Sequence, residues 1–322
     1  MSTMKKKRIL IAVDGSLQAL EAVRYVSKVL PGERIGVVLM HIVTRVPESF
    51  WDLEHEPAYH YRIVDIDEWE ARQRKMVDEF MDHSRDMLLG AGVREQDLTV
   101  TVRDRKEGIA RDIIAESRKG FDAVVVGRRG VSELKDMVLG SIANKLIERL
   151  SACPVWVVGG ARSCERILLC VDGSEGAGRA VQSAAGMLAG APDVQVTLLH
   201  VDRSMNIFRQ VFGGAPRPER EGELAKGAEG EAEAASRRIQ PAFDEAKNIL
   251  LQSGLPGDRI VQHILTGAGS QAGAIVDYAE REEYGTIVVG RRGLTKVQEF
   301  FMGRVSNKVV QLAKDRTVWV VN

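Results

Sequence analysis

The sequence predicts an α/β fold of two tandem domains, each an open five-stranded parallel sheet with helices on both faces. Three observations predict it. Short apolar, β-branched runs alternate with longer segments of helical period, as in parallel sheets with crossover helices. This β-α alternation runs through the first half and then restarts in the second. A glycine-containing stretch occurs twice, at residues 127–144 and 290–307.

In the first half we predict strands and helices in strict alternation. The predicted strands are residues 8–13, 34–43, 98–103, 121–126 and 154–158, and the predicted helices are residues 17–30, 67–89, 108–119 and 140–150. Ser16 or Asp14 can cap the first helix, and Pro31-Gly32 stops it. Residues 44–66 are predicted to be a long irregular segment, a kind that in compact domains is usually functional or mobile.

The second half repeats the pattern. Its predicted strands are residues 166–171, 194–201, 259–265, 286–289 and 317–321, and its predicted helices include residues 231–251, 270–282 and 303–313. Residues 207–230 are predicted to be a mobile loop, and Pro241 is predicted to kink or break its helix. The repeat is too long for a solenoid, so we predict a duplicated domain. Its two copies span residues 1–160 and 165–322.

Composition narrows the function classes. The 322 residues include 45 basic and 45 acidic ones, and this balance argues against a general nucleic-acid binder. No apolar run approaches the roughly 20 residues of a membrane span, and the N-terminal apolar run is too short for a secretory signal. Three cysteines without CxxC spacing favour reduced thiols in the cytoplasm.

The first glycine stretch has the chemistry of a phosphate site. Gly127 and Gly130 follow a buried apolar run, where glycine permits close approach of a ligand to the backbone. Gly140 and Ser141 open a helix, whose free N–H groups and dipole favour an anion. The second copy has the same glycine spacing, but Arg304 replaces Ser141. An arginine there could meet a phosphate or fill the pocket, so the second site is expected to be altered.

These features together resemble the universal stress protein family, over nearly the whole chain and twice. The resemblance rests on the Asp-Gly-Ser turns that begin at Asp14 and Asp172, the strand ends at His41-Ile42 and His200-Val201, and the G-x2-G-x9-G-S/T motif. It implies sheets of strand order 3-2-1-4-5 and binding of ATP, alone or with magnesium. Ligands of open α/β sheets bind where the strand order switches, here between strands one and four.

The resemblance also implies contact residues. Asp14 would face the adenosine, the Ile42 backbone would meet adenine, and further residues would border the ribose and the phosphates. These further residues are Val126, Gly127, Gly130, Gly140, Ser141 and Ile142 in the first half. The second half has Asp172, Val201, Gly290, Gly293 and Gly303 at the corresponding places.

Simpler interpretations of the same residues stay open. Asp14 could be only a turn residue, and the glycines could serve packing. The arginine pairs at residues 128–129 and 291–292 could clamp phosphates, form a basic partner surface, or lie in solvated loops. His41 and His200 are more typical of core or capping residues than of catalysts. A metal site at residues 55–60 is not favoured, since no regular element is predicted beneath its two histidines and glutamate.

The predicted function is a cytoplasmic, ATP-binding, regulatory stress-response protein without dedicated catalysis. The chain lacks a GxxxxGK[ST] motif, although slow ATP hydrolysis stays open. One alternative is an adenylating or ATP-hydrolysing enzyme, which would need a phosphate loop such as SGGxDS after strand one. Others are a phosphoacceptor module that uses Asp14, and an interaction protein with empty sites.

The last strand of each half is predicted to lie at a sheet edge. Val155–Val158 and Val318–Val321 are apolar, and exposed edges of this kind tend to be paired or covered. The short linker at residues 159–164 raises the effective concentration of one edge for the other. We therefore predict that these two strands pair antiparallel within one chain and bring Trp156 and Trp319 together. Assembly into a homo-oligomer is left open.

Overall fold

The computed structural model describes residues 6–44, 60–130, 139–160, 164–191, 193–202, 221–292 and 302–322. The first half contains β1 (Lys7–Val13), α1 (Leu17–Val29), β2 (Ile35–Val43), α2 (His60–Gly90), β3 (Leu98–Asp104), α3 (Ile109–Ser117), β4 (Ala123–Gly127), α4 (Ser141–Arg149) and β5 (Val155–Val158). The second contains β6 (Arg166–Cys170), α5 (Glu175–Leu188), β7 (Gln195–Val201), α6 (Glu221–Gln252), β8 (Ile260–Leu265), α7 (Gln271–Arg281), β9 (Thr286–Gly290), α8 (Arg304–Leu312) and β10 (Thr317–Val321).

The strands form one ten-stranded sheet of order β3-β2-β1-β4-β5-β10-β9-β6-β7-β8. Within each half the order is the predicted 3-2-1-4-5, and the described neighbours are parallel. The α/β class and the tandem arrangement are therefore confirmed. The strand order switches between β1 and β4 in the first half and between β6 and β9 in the second, which creates a cleft at the carboxyl ends of each pair.

The two halves meet at β5 and β10, which pair antiparallel with Trp156 opposite Trp319. The sequence predicts this pairing, and the structure contains it. The indole rings stack with centroids 3.8 Å apart and planes 2° from parallel, and both side chains are fully buried. Neither strand is an edge, because each is bonded on both sides.

Helices cover both faces of the sheet, and one core continues across the junction on each face. The first core packs α1, α2, α5 and α6 against the sheet, and the second packs α3, α4, α7 and α8. The Tyr25 hydroxyl lies 2.7 Å from Thr286 Oγ1 and accepts a 2.9 Å hydrogen bond from Trp319 Nε1. A tyrosine of the first half thus completes a buried polar network in the second.

Two helices begin earlier than predicted. Helix α2 begins at His60, within the segment predicted to be irregular, and α6 begins at Glu221, within the predicted mobile loop. Elongating an existing helix gains one hydrogen bond for each residue that is fixed, so each helix extends beyond its clearly amphipathic stretch even over residues of low helix propensity. Helix α6 also runs through Pro241 without a break. Residues 45–59 and 203–220 lie outside the described part of the chain.

None of the helices in the described ranges combines the length and apolar character that crossing a membrane requires.

Candidate functional site

The turn after β1 places Asp14 at the carboxyl end of the sheet. Asp14 Oδ1 accepts a 3.0 Å hydrogen bond from the Ser16 N–H, and Ser16 Oγ accepts one from the Ala19 N–H, which caps α1. Gly15 has a φ of 83°, a left-handed conformation that favours glycine. The Asp-Gly-Ser sequence is therefore required by the turn, and the turn holds the exposed Asp14 carboxylate next to the strand switch.

The glycine loop after β4 closes onto this aspartate. Gly130 lies so near it that a Cβ there would be 2.6 Å from Asp14 Oδ2. At the other end of the loop, the Gly140 N–H donates to the Arg128 carbonyl at 2.8 Å, which places the start of α4 beside the end of β4. Asp14, Gly130 and the first turn of α4 thus meet at one point. The N-cap, Gly140, brings no side chain to the first-turn amides of α4.

An apolar wall adjoins this point. Ile42 and Val126 each lie one residue before the end of a strand and belong to the second core. Ile109 and Ile142 pack against the same core and are partly exposed. Ile109 is the first residue of α3, and Ile142 lies in the first turn of α4. Apolar side chains next to hydrogen-bonding backbone are the usual lining of a purine site.

The first glycine of each motif has a packing role. A Cβ at Gly127 would lie 3.0 Å from the Gln18 carbonyl, and a Cβ at Gly290 would lie 2.5 Å from the Gly176 backbone. In each half, the end of the fourth strand therefore touches the first turn of the helix that follows the first strand. This contact accounts for both glycines without a ligand, and their contact with a ligand stays a prediction.

His41 is a buried hydrogen-bonding residue. Its Nδ1 lies 3.0 Å from the Val13 carbonyl oxygen, and His200 Nδ1 lies 2.8 Å from that of Val171. Because a carbonyl only accepts, these nitrogens carry the proton. Burial lowers the pKa of His41, against the opposing effects of the Val13 hydrogen bond and Asp14. His41 is therefore neutral at pH 7 and tethers the ends of β1 and β2.

The second half has the same turn but a different cleft. Asp172 Oδ1 accepts hydrogen bonds from Ser174, at 3.0 Å from N and 2.6 Å from Oγ. The Val201 carbonyl accepts a 3.1 Å hydrogen bond from Gln271 Nε2, whereas the corresponding first residue of α3 is Ile109, which has no donor. Gln271 is therefore bonded to the carbonyl of Val201, which corresponds to Ile42, the residue whose backbone the resemblance assigns to adenine.

The start of α8 repeats the backbone arrangement of the start of α4 but has a different first residue. Gly303 is the N-cap of α8, and its N–H donates to the Arg291 carbonyl at 2.7 Å. Arg304, the first residue of the helix, is exposed.

Gly293 lies outside the described residues, as do His55 and Glu56. In the described part of the chain, no cluster of three or more histidine, cysteine or carboxylate side chains could hold a metal ion.

Two of the loop arginines are neither solvated nor placed to clamp a phosphate. Arg128 is 1% exposed and Arg291 is 5% exposed, and each reaches carbonyl groups of the other half. Sequence reasoning missed this role. The signal was a charged residue repeated at the same loop position in both halves, next to the predicted junction strands. The role of Gln271 was also missed. A comparison of the two helix starts would have revealed a glutamine in the second half at the position that isoleucine occupies in the first.

The sequence model of the universal stress protein family matches residues 6–159 and again residues 164–322. The chain belongs to the universal stress protein family, and it contains two copies of the domain.

Individual relatives agree with this assignment. A universal stress protein of Mycolicibacterium smegmatis is 30% identical over 198 residues, which span 60% of this chain and 63% of that protein. The match to universal stress protein YxiE of Bacillus subtilis is 27% identical over 154 residues, covering 47% of this chain and 97% of that one.

Solved structures share the fold over the full length. A universal stress protein from Archaeoglobus fulgidus is 18% identical with a TM-score of 0.61, and the match covers 98% of each chain. A protein of unknown function from Pseudomonas aeruginosa PAO1 is 17% identical with a TM-score of 0.57, covering 98% of this chain and 92% of that one. At these identities the likeness shows the fold alone.

Proposed function

We propose that the first half binds ATP, alone or with magnesium, and that the bound nucleotide serves a regulatory stress-response role. The convergence of Asp14, Gly130 and the first turn of α4 at the strand switch carries this proposal. The carboxylate can accept from ribose hydroxyls, and the first-turn amides of α4 favour phosphate. The neighbouring isoleucines suit a purine ring, with the Ile42 backbone as its hydrogen-bonding partner.

The second half is proposed to bind ATP more weakly. Gln271 already bonds to the Val201 carbonyl, so a base would have to displace it. Arg304 replaces a small hydroxyl residue at the start of α8. A guanidinium there can attract phosphate, but we expect its bulk to hinder the approach of phosphate to the helix. The proposal is therefore one strong nucleotide site per chain.

The first test is to purify the protein, denature it, and identify released nucleotide by chromatography and mass spectrometry. Titration calorimetry of the full chain with ATP should then give close to one site. Gly140→Val should abolish that site, because its branched side chain would occupy the space where phosphate meets α4. The Gly140 φ of −68° is open to valine, so the melting temperature should change less than the affinity. Unfolding of this variant would favour a packing role instead.

The proposed role is binding rather than turnover, in a cytoplasmic protein. The three cysteines are free thiols, which suits a reducing compartment. A phosphate-release assay with ATP should show at most slow hydrolysis. Turnover near the ordinary enzyme value of about 10 per second would identify an ATP-hydrolysing enzyme instead.

A further inference from the structure

Each glycine loop sends one buried arginine into the other half of the chain. Arg128, from the loop after β4, donates through Nη2 to the Val310 carbonyl and to the Gln311 carbonyl at 3.3 Å. Arg291, from the loop after β9, donates through Nη1 to the Leu150 carbonyl at 2.8 Å and through Nη2 to the Glu148 carbonyl. The exchange is reciprocal.

The acceptors lie at equivalent places. Val310 and Gln311 are in the last turn of α8, and Glu148 and Leu150 are at the end of α4. The last four carbonyls of a helix lack intrahelical partners, and its dipole favours a cation there. Burial lowers the pKa of Arg128 to about 10, with a smaller effect from Arg129, so Arg128 stays charged at neutral pH. Arg128 therefore caps α8, and Arg291 caps α4.

The same two helices begin at the candidate ligand sites. Helix α4 begins beside Gly140, and α8 begins beside Gly303; each has nine residues, about 14 Å. The backbone of Arg128 also anchors its own loop, since its N–H donates to the Val158 carbonyl and its carbonyl accepts from Gly140. A continuous path of hydrogen bonds and helix thus joins the loop of one half to the cleft of the other.

We propose that Arg291 and Arg128 are positioning residues that couple the two clefts. Arg291, in the second half, fixes the helix whose first turn forms the ligand site of the first half. Arg128 does the same for the second cleft. A ligand that orders the N-terminus of α4 would therefore strengthen the hydrogen bonds of Arg291 to the other end of α4. By linkage, strengthening these hydrogen bonds would tighten binding of the ligand. The nature of the ligand rests on the proposed function, whereas the exchanged contacts do not.

The first arm of the test needs no ligand. Hydrogen exchange is measured by mass spectrometry on full-length Arg291→Gln, Arg128→Gln and the control Arg149→Gln. Arg149 is an exposed arginine in the last turn of α4. Its replacement removes a surface charge at the same helix end and leaves the buried guanidinium of Arg291 in place. Arg291→Gln should speed exchange in residues 141–149, and Arg128→Gln in residues 304–312. Loosening confined to the half that carries the mutation would overturn the coupling.

The second arm measures ATP binding by calorimetry. Arg291→Gln should weaken the first-half site, identified by its loss in Gly140→Val, by about tenfold, which corresponds to about 1.4 kcal/mol. Arg149→Gln should stay within about twofold of the wild type, on the scale of a surface helix charge. Arg291→Lys keeps the charge but loses the fork and should fall between; it replaces Arg291→Gln if that variant does not fold.

The outcomes separate the two proposals. Wild-type protein that binds no ATP would refute the proposed function, and the exchange arm would then decide the coupling by itself. Wild-type ATP affinity in Arg291→Gln, with faster exchange in α4, would refute the coupling to the ligand site while leaving the proposed function intact. The expected result is faster hydrogen exchange in the helix of the half opposite to the mutation, together with weaker ATP binding in Arg291→Gln.

Discussion

Single residues distinguish two clefts that have the same backbone plan. The first helical residue after the third strand is Ile109 in one half and Gln271 in the other. The glutamine amide bonds to the Val201 carbonyl, and an isoleucine cannot form the equivalent bond with Ile42. We therefore expect this one side chain to decide whether the strand-end carbonyl is open to a ligand.

A reciprocal exchange tests this difference. Ile109→Gln should weaken ATP binding in the first half by about fivefold, because the ligand must then displace an internal hydrogen bond worth about 1 kcal/mol. Gln271→Ile should strengthen binding in the second half, read by calorimetry in the Gly140→Val background. Unchanged affinity in both variants would show that neither residue controls the base position.

A pH effect belongs to His41. Its pKa is lowered in the folded protein, chiefly by burial, from about 6.5 in the unfolded chain. The unfolded state therefore binds the proton more tightly, so folding carries no penalty from His41 above pH 6.5 and an increasing one as the pH falls below it. Urea unfolding of wild type and His41→Gln between pH 7.5 and 5 should show a shallower loss of stability in the variant. Parallel curves would contradict this.

Among the elements, β5 and β10 are the strands whose environment the junction changes most. All four residues of β5 are fully or almost fully buried, because β4 lies on one side and β10 on the other. A strand that would end an isolated sheet is thus a central strand, and its apolar composition suits that position.

Proline at position 157 tests the pairing. Val157 lies opposite Val318, and proline would remove a ladder donor in the middle of a buried strand. Val157→Pro should loosen the contact between the halves and lower the melting temperature by several degrees, while small-angle scattering should show an expanded envelope. Proline at Val100, on the outer strand β3 and 39% exposed, is the control and should leave the envelope compact. An unchanged envelope in Val157→Pro would count against this contact.

At the scale of the whole molecule, the buried Tyr25 network joins the two halves, and we expect them to unfold together. Tyr25→Phe would leave Trp319 Nε1 without its acceptor, at a cost of about 1–3 kcal/mol across the junction. We expect one thermal transition in calorimetry of the wild type and a broadened or split transition in Tyr25→Phe, because the deleted bond joins the two halves.

Tyr284→Phe is the matched control. Its hydroxyl donates to Thr197 Oγ1 at 2.7 Å, a buried bond within the second half. This variant should lose comparable stability and keep one transition. Equal broadening in both variants would show that the network does not couple the halves.

Much of the candidate site was predictable because its residues are specified locally. The Asp-Gly-Ser turn needs a left-handed glycine and a capping serine, so its sequence directly reports its geometry. The glycine spacing likewise placed the start of α4. The partners of the two buried loop arginines were not predictable, because the carbonyls that bind them lie more than a hundred residues away and belong to backbone that any sequence would supply.

The sequence by itself determined the α/β class, the duplication, the strand order implied by its family resemblance, and the position of the candidate nucleotide cleft. These follow from apolar periodicity and turn chemistry, which act over a few residues. Only the tertiary structure decided that Arg128 and Arg291 cap helices of the opposite half, that Gly127 and Gly290 serve packing, and that Gln271 occupies a strand-end carbonyl. These depend on distances between segments remote in sequence, and such distances exist only after the sheet has assembled.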